Sequence, residues 1–332
     1  MNAIVPSQSP LLKCLQIIQF IKPSRLTGLK LATGRCSCRM QDRFIDLCYE
    51  ADLDTSEHPE LLELARELVN EDPDTRAAAI QDLRNMIYER GECTPRRMDD
   101  AFLLKFLRAR SFVVRRAHRH LVRYCNFLEQ YPYLYRDVDF WSLTKVKGAY
   151  EAAMLDPPGV GRLLIARFGT WDPDDFPVED LVRAALAFME IGLRTPRAQV
   201  LGGTVIFDLE GITMKHIATL TPTVAYQIVC LTGYALPGIM HSCHIINYNW
   251  LLNTFFFLFK RFISRKAWAK IHFHGSDLES LQRHLPRECL PPRYGGTCRL
   301  HTDFETGFNK IKKYRDEAFD REMKEFGWLM KE

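Results

Sequence analysis

The stretch GGTVIFDLEG (residues 202–211) places an apolar run, Val205 to Phe207, between a glycine pair and two acidic residues. Short apolar runs with such ends are typical of strands buried on both faces of a sheet. GRLLIARFG (161–169) and CHIINY (243–248) have the same character, and KIHFHG (270–275) is a candidate last strand. These runs predict the strands of one buried sheet.

Helical patterns alternate with these strands. They are VEDLVRAALAFMEIGL (178–193), TPTVAYQIVCLTGY (221–234) and WLLNTFFFLFKRF (250–262). Alternation of strand and helix favours an α/β fold with a mostly parallel sheet and crossover helices.

Four helical patterns precede the first strand. HPELLELARELV (58–69) spaces its leucines along one helix face, and Asp72-Pro73 starts a second helix that Gly91 ends. MDDAFLLKFLRAR (98–110) and VVRRAHRHLVRYCNFLEQY (113–131) complete a small all-helical module. We predict a basic, disordered extension over 1–41, the helical module over 42–140, an α/β domain over 141–300 and a C-terminal amphipathic helix over 301–332. The expected apolar side of the C-terminal helix consists of Phe304, Phe308, Ile311, Met323 and Phe326.

The extension contains no Asp or Glu and six basic residues. Such a segment can be a transit peptide. It can also be a flexible extension, or extra sequence ahead of a true start at Met40. The sequence favours the flexible extension, and fold reasoning starts after it.

Composition excludes several classes of protein. The chain has 332 residues, 47% of them hydrophobic, and a net charge of +4 that is too small to indicate nucleic-acid binding. Ten scattered cysteines without a secretory signal favour a reduced, intracellular setting. His241, Cys243 and His244 are too crowded for metal ligands, so we predict no metal there. No stretch has the roughly 20 apolar residues that span a bilayer.

Catalytic motifs are missing from the sequence. There is neither a G-x-S-x-G nor a G-x-x-x-x-G-K pattern. Gly159-Val-Gly161 lacks the third glycine of a dinucleotide fingerprint and precedes a strand, so it indicates a turn. Asp208 and Glu210 indicate a strand end rather than an acid pair. We therefore predict a protein that is not an enzyme and needs no cofactor.

The run WLLNTFFFLFKRF is apolar on nearly every side when it is placed on a helix. Leu251, Phe255, Leu258, Phe259 and Phe262 share one face, whereas Trp250 and Phe257 point nearly opposite. Five basic residues lie at its end and just after it, Lys260, Arg261, Arg265, Lys266 and Lys270, and no acidic residue occurs before Asp277. A helix of this kind either contacts an anionic membrane surface or is packed in the protein with a solvated basic end.

Four motifs in order resemble the CRAL-TRIO family of lipid-binding proteins, over about residues 58–300. They are LLKFLRARSF (103–112), VIFDLEG (205–211), IHFHG (271–275) and LPPRYGG (290–296). The resemblance is greatest to the animal branch of tocopherol transfer protein, retinaldehyde-binding protein and clavesin. It implies a helical module packed on an α/β domain whose sheet floors an apolar cavity beneath a mobile gate helix, at residues 250–262.

Pattern and resemblance together give candidate residues. The ligand-binding candidates are Val182, Ala185, Leu186, Met189, Phe207, Leu220, Ile228, Leu231, Leu236, Phe255 and Phe259. The membrane-binding candidates are Trp250, Phe257, Lys260, Arg261, Arg265, Lys266 and Lys270. In phosphoinositide-binding members a basic pair stands where this chain has Ile239 and His241, which argues against specific phosphoinositide recognition.

The resemblance implies a monomeric cytoplasmic carrier that associates peripherally with membranes. Its partners would be one tocopherol-, retinoid- or phospholipid-like ligand and an anionic membrane surface, with phosphoinositides as a candidate component. The alternative is a membrane-docked protein that binds phosphoinositides or other anionic lipids without transferring them.

Overall fold

The computed structural model describes residues 38–153, 156–248 and 259–331, with the side chains of 38–43 and 51 left out. Most of the predicted extension and most of the predicted gate helix, including Trp250, Phe255 and Phe257, lie outside the described residues. Within the described ranges, no helix has both the length and the apolar character needed to cross a bilayer.

The N-terminal part is all-helical. Its helices are α1 (Cys38–Asp52), α2 (Pro59–Val69), α3 (Pro73–Arg90), α4 (Asp100–Arg108) and α5 (Val114–Gln130). The predicted ends of α3 are confirmed: the Asp72 carboxylate accepts a hydrogen bond from the Asp74 N–H, and Gly91 closes the helix at φ +59°. Helix α1 was not predicted and overlaps the last residues of the predicted extension. It is held because Phe44, Ile45 and Tyr49 are buried in the main core.

The sheet is six-stranded and mixed. Its strands are β1 (Tyr150–Ala153), β2 (Arg162–Arg167), β3 (Gly203–Asp208), β4 (Met240–Ile246), β5 (Ile271–Gly275) and β6 (His301–Asp303). Their spatial order is β5-β4-β3-β2-β1-β6. Strands β2 to β5 are parallel, as the sequence predicts, whereas β1 is antiparallel to both of its neighbours. The two strands that the sequence did not predict, β1 and β6, are the shortest and lie at one edge.

The helices around this sheet lie in the connections between its consecutive strands. They are α6 (Val178–Gly192), α7 (Pro196–Leu201), α8 (Met214–Thr219), α9 (Pro222–Val229), α10 (Arg265–Trp268) and α11 (Leu278–His284). Helix α9 continues into a π-turn over Cys230–Tyr234, which Gly233 breaks at φ +99°.

Alternation along the strands gives the sheet two different faces. Leu163, Ile165, Ile206 and Ile246 belong to a closed core with Leu281 of α11. Their neighbours in sequence point to the opposite face, toward α6 and α9, as strand geometry requires. The candidate functional site lies on this second face.

The C-terminal tail differs from the single amphipathic helix that the sequence predicts. It forms β6 and then two helices, α12 (Phe304–Tyr314) and α13 (Glu317–Phe326). The break falls at Arg315, where the backbone is extended, and Asp316 caps α13 by accepting from the Phe319 N–H at 2.7 Å. The predicted apolar residues still face inward, and Phe308 stacks on Phe140 with ring centroids 5.1 Å apart.

Candidate functional site

Two adjoining cavities lie between the sheet and its covering helices. The first is about 210 Å³ and the second about 700 Å³. They share wall residues that include Phe207 of β3, Leu220 at the end of α8 and Ile228 of α9. The shared lining residues show that the two cavities are neighbours.

Apolar side chains from two elements line the first cavity. Val182, Ala185 and Met189 stand at spacings of three and four along α6, so they share one helix face. Val205 and Phe207 alternate along β3 and reach the same space. The walls therefore favour a hydrocarbon occupant.

The polar groups in this wall are already paired within the protein. The Tyr150 hydroxyl donates to Leu181 O at 2.9 Å, and the Thr204 hydroxyl donates to Val160 O at 2.8 Å. The Trp171 indole N–H donates to Phe176 O, and His216 Nε2 lies 2.7 Å from Trp171 O. Because these groups are engaged, they offer little to a polar ligand in the first cavity.

One end of the first cavity carries a buried ionic network. Arg162 donates to both carboxylate oxygens of Asp52 at 2.8 Å, and it also pairs with Asp156. Burial alone would raise the pKa of Asp156, but Arg162 and Arg197 outweigh it and lower that pKa to about 2. The charges in this wall are thus neutralised by one another.

The second cavity has a basic rim, formed by Arg110, Arg116, Arg123, Lys266 and Lys270. No acidic side chain is among its described lining residues. Burial and the nearby charge of Arg123 lower the pKa of Arg110 to about 10, and burial together with Arg110 lowers that of Lys270. The guanidinium of Arg123 lies 4.7 Å from the ring centroid of Tyr234. Crowded, partly buried cations of one sign favour an anion at this rim.

Comparison with known proteins identifies the family. Residues 160–296 match the CRAL/TRIO domain, and residues 51–123 match the CRAL/TRIO N-terminal domain. Clavesin-2 of Rattus norvegicus and of Homo sapiens are each 30% identical over 242 residues, which cover 72% of this chain and 74% of the relative. This chain belongs to the CRAL/TRIO family.

Another relative has a different name. The alpha-tocopherol transfer protein-like protein of Mus musculus is 31% identical over 241 residues, covering 72% of this chain and 70% of that protein. A solved structure of Sfh5 covers 74% of this chain and 99% of its own at 15% identity, with a TM-score of 0.39 that is too low to support further argument.

Within this CRAL/TRIO fold, most of the described candidate ligand residues line the cavities. Val182, Ala185, Met189 and Leu231 line the first cavity, Phe259 lines the second, and Phe207, Leu220 and Ile228 line both. Their contact with a ligand stays a prediction.

Leu186 and Leu236 are placed differently from the prediction. Both are fully buried in the main core and line neither cavity. Leu186 follows Ala185, and one helical step turns a side chain by about 100°, away from the cavity face. Leu236 follows the π-turn, and its N–H donates to Cys230 O at 3.2 Å.

Several lining residues were missed by the sequence reasoning. Val205 lies two residues before Phe207 on β3, so strand alternation alone could have found it. Leu164 and Ala166 of β2 face the same space because they pair with Val205 and Phe207. That pairing register is a long-range property, and nothing in the local sequence signals it.

The basic candidates divide into two groups. All five are exposed, but Lys266 and Lys270 line the second cavity, whereas Lys260, Arg261 and Arg265 do not. The arginines of the rim, Arg110, Arg116 and Arg123, come from the helical module and were not predicted. Ile239 lines both cavities, and His241 Nε2 lies 2.7 Å from Leu201 O.

Among the described residues, no group of His, Cys, Asp and Glu is arranged to hold a metal ion.

Proposed function

We propose that this CRAL/TRIO protein is a carrier that holds one hydrophobic lipid in the two adjoining cavities and exchanges it at membranes. The observation that carries the proposal is an apolar cavity whose lining hydroxyls are hydrogen-bonded within the protein. Family membership supports lipid binding, and one relative is named alpha-tocopherol transfer protein-like. The lipid would be tocopherol-, retinoid- or phospholipid-like.

Transfer free energies explain why such a carrier needs no catalytic group. A lipid with about 400 Å² of apolar surface costs on the order of 10 kcal/mol to place in water. Movement from a bilayer into a dry cavity costs far less, because the surroundings are apolar at both ends. The segment over 250–262, most of which lies outside the described residues, would act as the gate, and its movement would expose the lipid.

The rim of the second cavity supports attraction to an anionic membrane surface. Arg110, Arg116, Arg123, Lys266 and Lys270 would meet the headgroups, while Lys260, Arg261 and Arg265 add charge beside them. The protein would act as a monomer in the cytoplasm, with peripheral membrane association.

The same rim favours a second candidate function. A membrane-docked protein that binds phosphoinositides or other anionic lipids would need these cations, but it would not need to extract its ligand. The two functions differ in whether lipid leaves the bilayer with the protein.

The test is lipid recovery. The full chain would be purified from cells, and its organic extract analysed by mass spectrometry, with uptake from liposomes measured in parallel. We expect one lipid per protein chain and a large loss in the Ala185→Trp variant, whose indole would fill the first cavity. Ala78→Trp is the control, because Ala78 is exposed on α3.

Two outcomes would contradict this proposal. The first concerns lipid transfer and the second concerns the binding site. Stable liposome binding without extraction favours the docked alternative. Equal lipid recovery from Ala185→Trp and wild type places the ligand elsewhere.

A further inference from the structure

Four histidine rings are gathered on the face of the sheet that the cavities do not use. His244 lies on β4, His272 and His274 on β5, and His284 at the end of α11. Every pair of ring centroids lies between 4.4 and 6.4 Å apart. We call these four residues the histidine cluster.

Burial decreases from one side of the cluster to the other. The side chain of His244 is fully buried, and that of His274 is 7% exposed. His272 is half-buried and His284 is exposed. Protons therefore reach the buried pair from the α11 side.

A chain of hydrogen bonds joins the two buried rings to Ser242 of β4 and to Ser280 of α11. Ser242 Oγ lies 2.8 Å from His244 Nε2, His244 Nδ1 lies 2.9 Å from His274 Nε2, and His274 Nδ1 lies 2.8 Å from Ser280 Oγ. The central contact is a side-chain link between β4 and β5.

This chain of hydrogen bonds limits the number of protons that the two buried rings can hold. Each neutral imidazole has one donor and one acceptor nitrogen, so all three contacts can be satisfied when both rings are neutral. One added proton is also accommodated: His244 then donates to Ser242 and to His274, and His274 donates to Ser280. If both rings are protonated, two N–H groups face each other across the His244–His274 contact, and that hydrogen bond is lost.

The surroundings of the buried pair disfavour positive charge on its rings. Burial and the other three rings lower the pKa of His244 to about 3, and burial and His284 lower that of His272. Burial, His284 and His272 also lower the pKa of His274. Asp277 raises this pKa, and Arg283 lowers it further. Asp277 and Arg283 are themselves only 3.6 Å apart, so they offset one another. Toward β3, His244 is paired in register with the apolar Ile206.

We propose that the histidine cluster is a proton-binding site whose protonation opens the β4–β5 edge of the sheet. The closed edge resists a second proton on the buried pair, whereas the opened edge exposes His244, His272 and His274 to water. When the pH falls below the ordinary pKa of a histidine side chain, the opened form therefore binds more protons than the closed form. Acidification thus favours the opened form. Stability of the edge is fully present above pH 6.5 and is lost progressively as the pH falls.

The same two strands form part of the second cavity. Cys243 and Ile245 of β4, and Ile271 and Phe273 of β5, alternate with the histidines and line that cavity. If the cavity holds lipid as proposed above, opening of this edge also speeds release of the lipid. That consequence rests on the proposed function, but proton-linked opening does not.

The nearly parallel rings argue against a metal as the ligand. His244 is tilted by only 18° to His272 and 20° to His274. Imidazole lone pairs lie in the ring plane, so stacked rings do not direct their nitrogens at one point.

Amide hydrogen exchange of the full chain tests the proposal. Peptides over 240–248 and 271–285 would be followed from pH 7.5 to 5.0, with rates normalised to intrinsic exchange. Each proton taken up on opening changes the opening constant tenfold per pH unit. We expect protection of β4 and β5 to fall by more than tenfold per unit below pH 6, and protection of β2 to change far less.

Matched variants assign the protons. His272→Gln keeps the buried hydrogen-bond chain but removes one of the three rings whose pKa is lowered in the closed edge, so the slope should fall by about a third. His58→Gln, in the helical module, should leave the slope unchanged. Imidazole nitrogen resonances should report stepwise protonation of the cluster in the folded wild-type protein.

A β4–β5 slope no steeper than that of β2 overturns the proposal, and so does a slope that His272→Gln leaves intact. Neither result depends on whether any lipid is bound, so failure here is distinguishable from failure of the carrier function.

Discussion

At the scale of single residues, Arg108 joins the helical module to the α/β domain. Its guanidinium is 2% exposed and donates to both carboxylate oxygens of Glu71, at 2.7 and 2.9 Å. It also donates to Glu57 and, on α7 of the other domain, to Gln199 at 2.8 Å. The arginine thus has buried acceptors on both sides of the junction, and its planar donors can serve several of them at once.

Arg108→Met should therefore destabilise the whole chain. Glu71, 1% exposed, would lose both hydrogen bonds from Arg108 and keep the longer ion pair with Arg76 at 3.3 Å, and loss of one partner of a buried ion pair costs about 3–5 kcal/mol. Denaturant unfolding measures the change. Arg84→Met is the control: its partner Asp100 is 74% exposed, so the loss should be about 1 kcal/mol or less. Equal losses in the two variants would contradict a special role for Arg108.

At the scale of elements, α6 divides its residues between cavity and core. Val182, Ala185 and Met189 face the first cavity, whereas Leu186 is fully buried among other side chains. Periodicity shows that α6 is apolar on more than one side, but it does not show which side has a partner and which faces an empty space. One helical step separates a lining residue from a core residue here.

Substitutions on α6 should separate stability from lipid binding. Leu186→Ala leaves a cavity in packed core and should lower the free energy of unfolding by about 2–5 kcal/mol. Met189→Gln sets an amide against an apolar occupant and should weaken lipid retention with a smaller loss of stability. Thermal unfolding and lipid recovery from the same preparations measure both. The reverse pattern would mean that the face assignment is wrong.

At the scale of the whole molecule, the basic rim is assembled from distant parts of the chain. Arg116 and Arg123 lie on α5 of the helical module, while Lys266 and Lys270 precede β5 of the α/β domain. These cations meet only because the module packs beside the second cavity. Net charge alone, at +4, gives no sign of such a concentration.

Helix α5 supplies a matched test of the rim. Arg116→Gln with Arg123→Gln should weaken binding to phosphatidylserine vesicles by about 2 kcal/mol, roughly 30-fold, because each cation near an anionic surface adds about 1 kcal/mol. The salt dependence should also flatten. Arg115→Gln with Arg119→Gln removes equal charge from exposed positions of α5 that do not line the cavity. The same loss in both variants would show a general charge effect instead of a rim.

Much of the site was predictable where local pattern decided it. Phe207 follows from its place in an apolar strand, and Ala185 from its helix face. The core position of Leu186 was not predictable, because helix periodicity gives directions without giving neighbours. The histidines of β5 stand in plain view as IHFHG, yet their contacts with His244 and His284 depend on pairing and packing that no local pattern contains.

The sequence by itself determined the family and the parallel core of the sheet, because turn residues, apolar runs and helix caps act over a few neighbouring positions. Tertiary structure decided the antiparallel edge of β1 and β6, the division of α6, the basic rim and the histidine cluster. Each of these brings together residues that are far apart in the chain. Their energies come from burial and charge proximity, which exist only after the chain has folded.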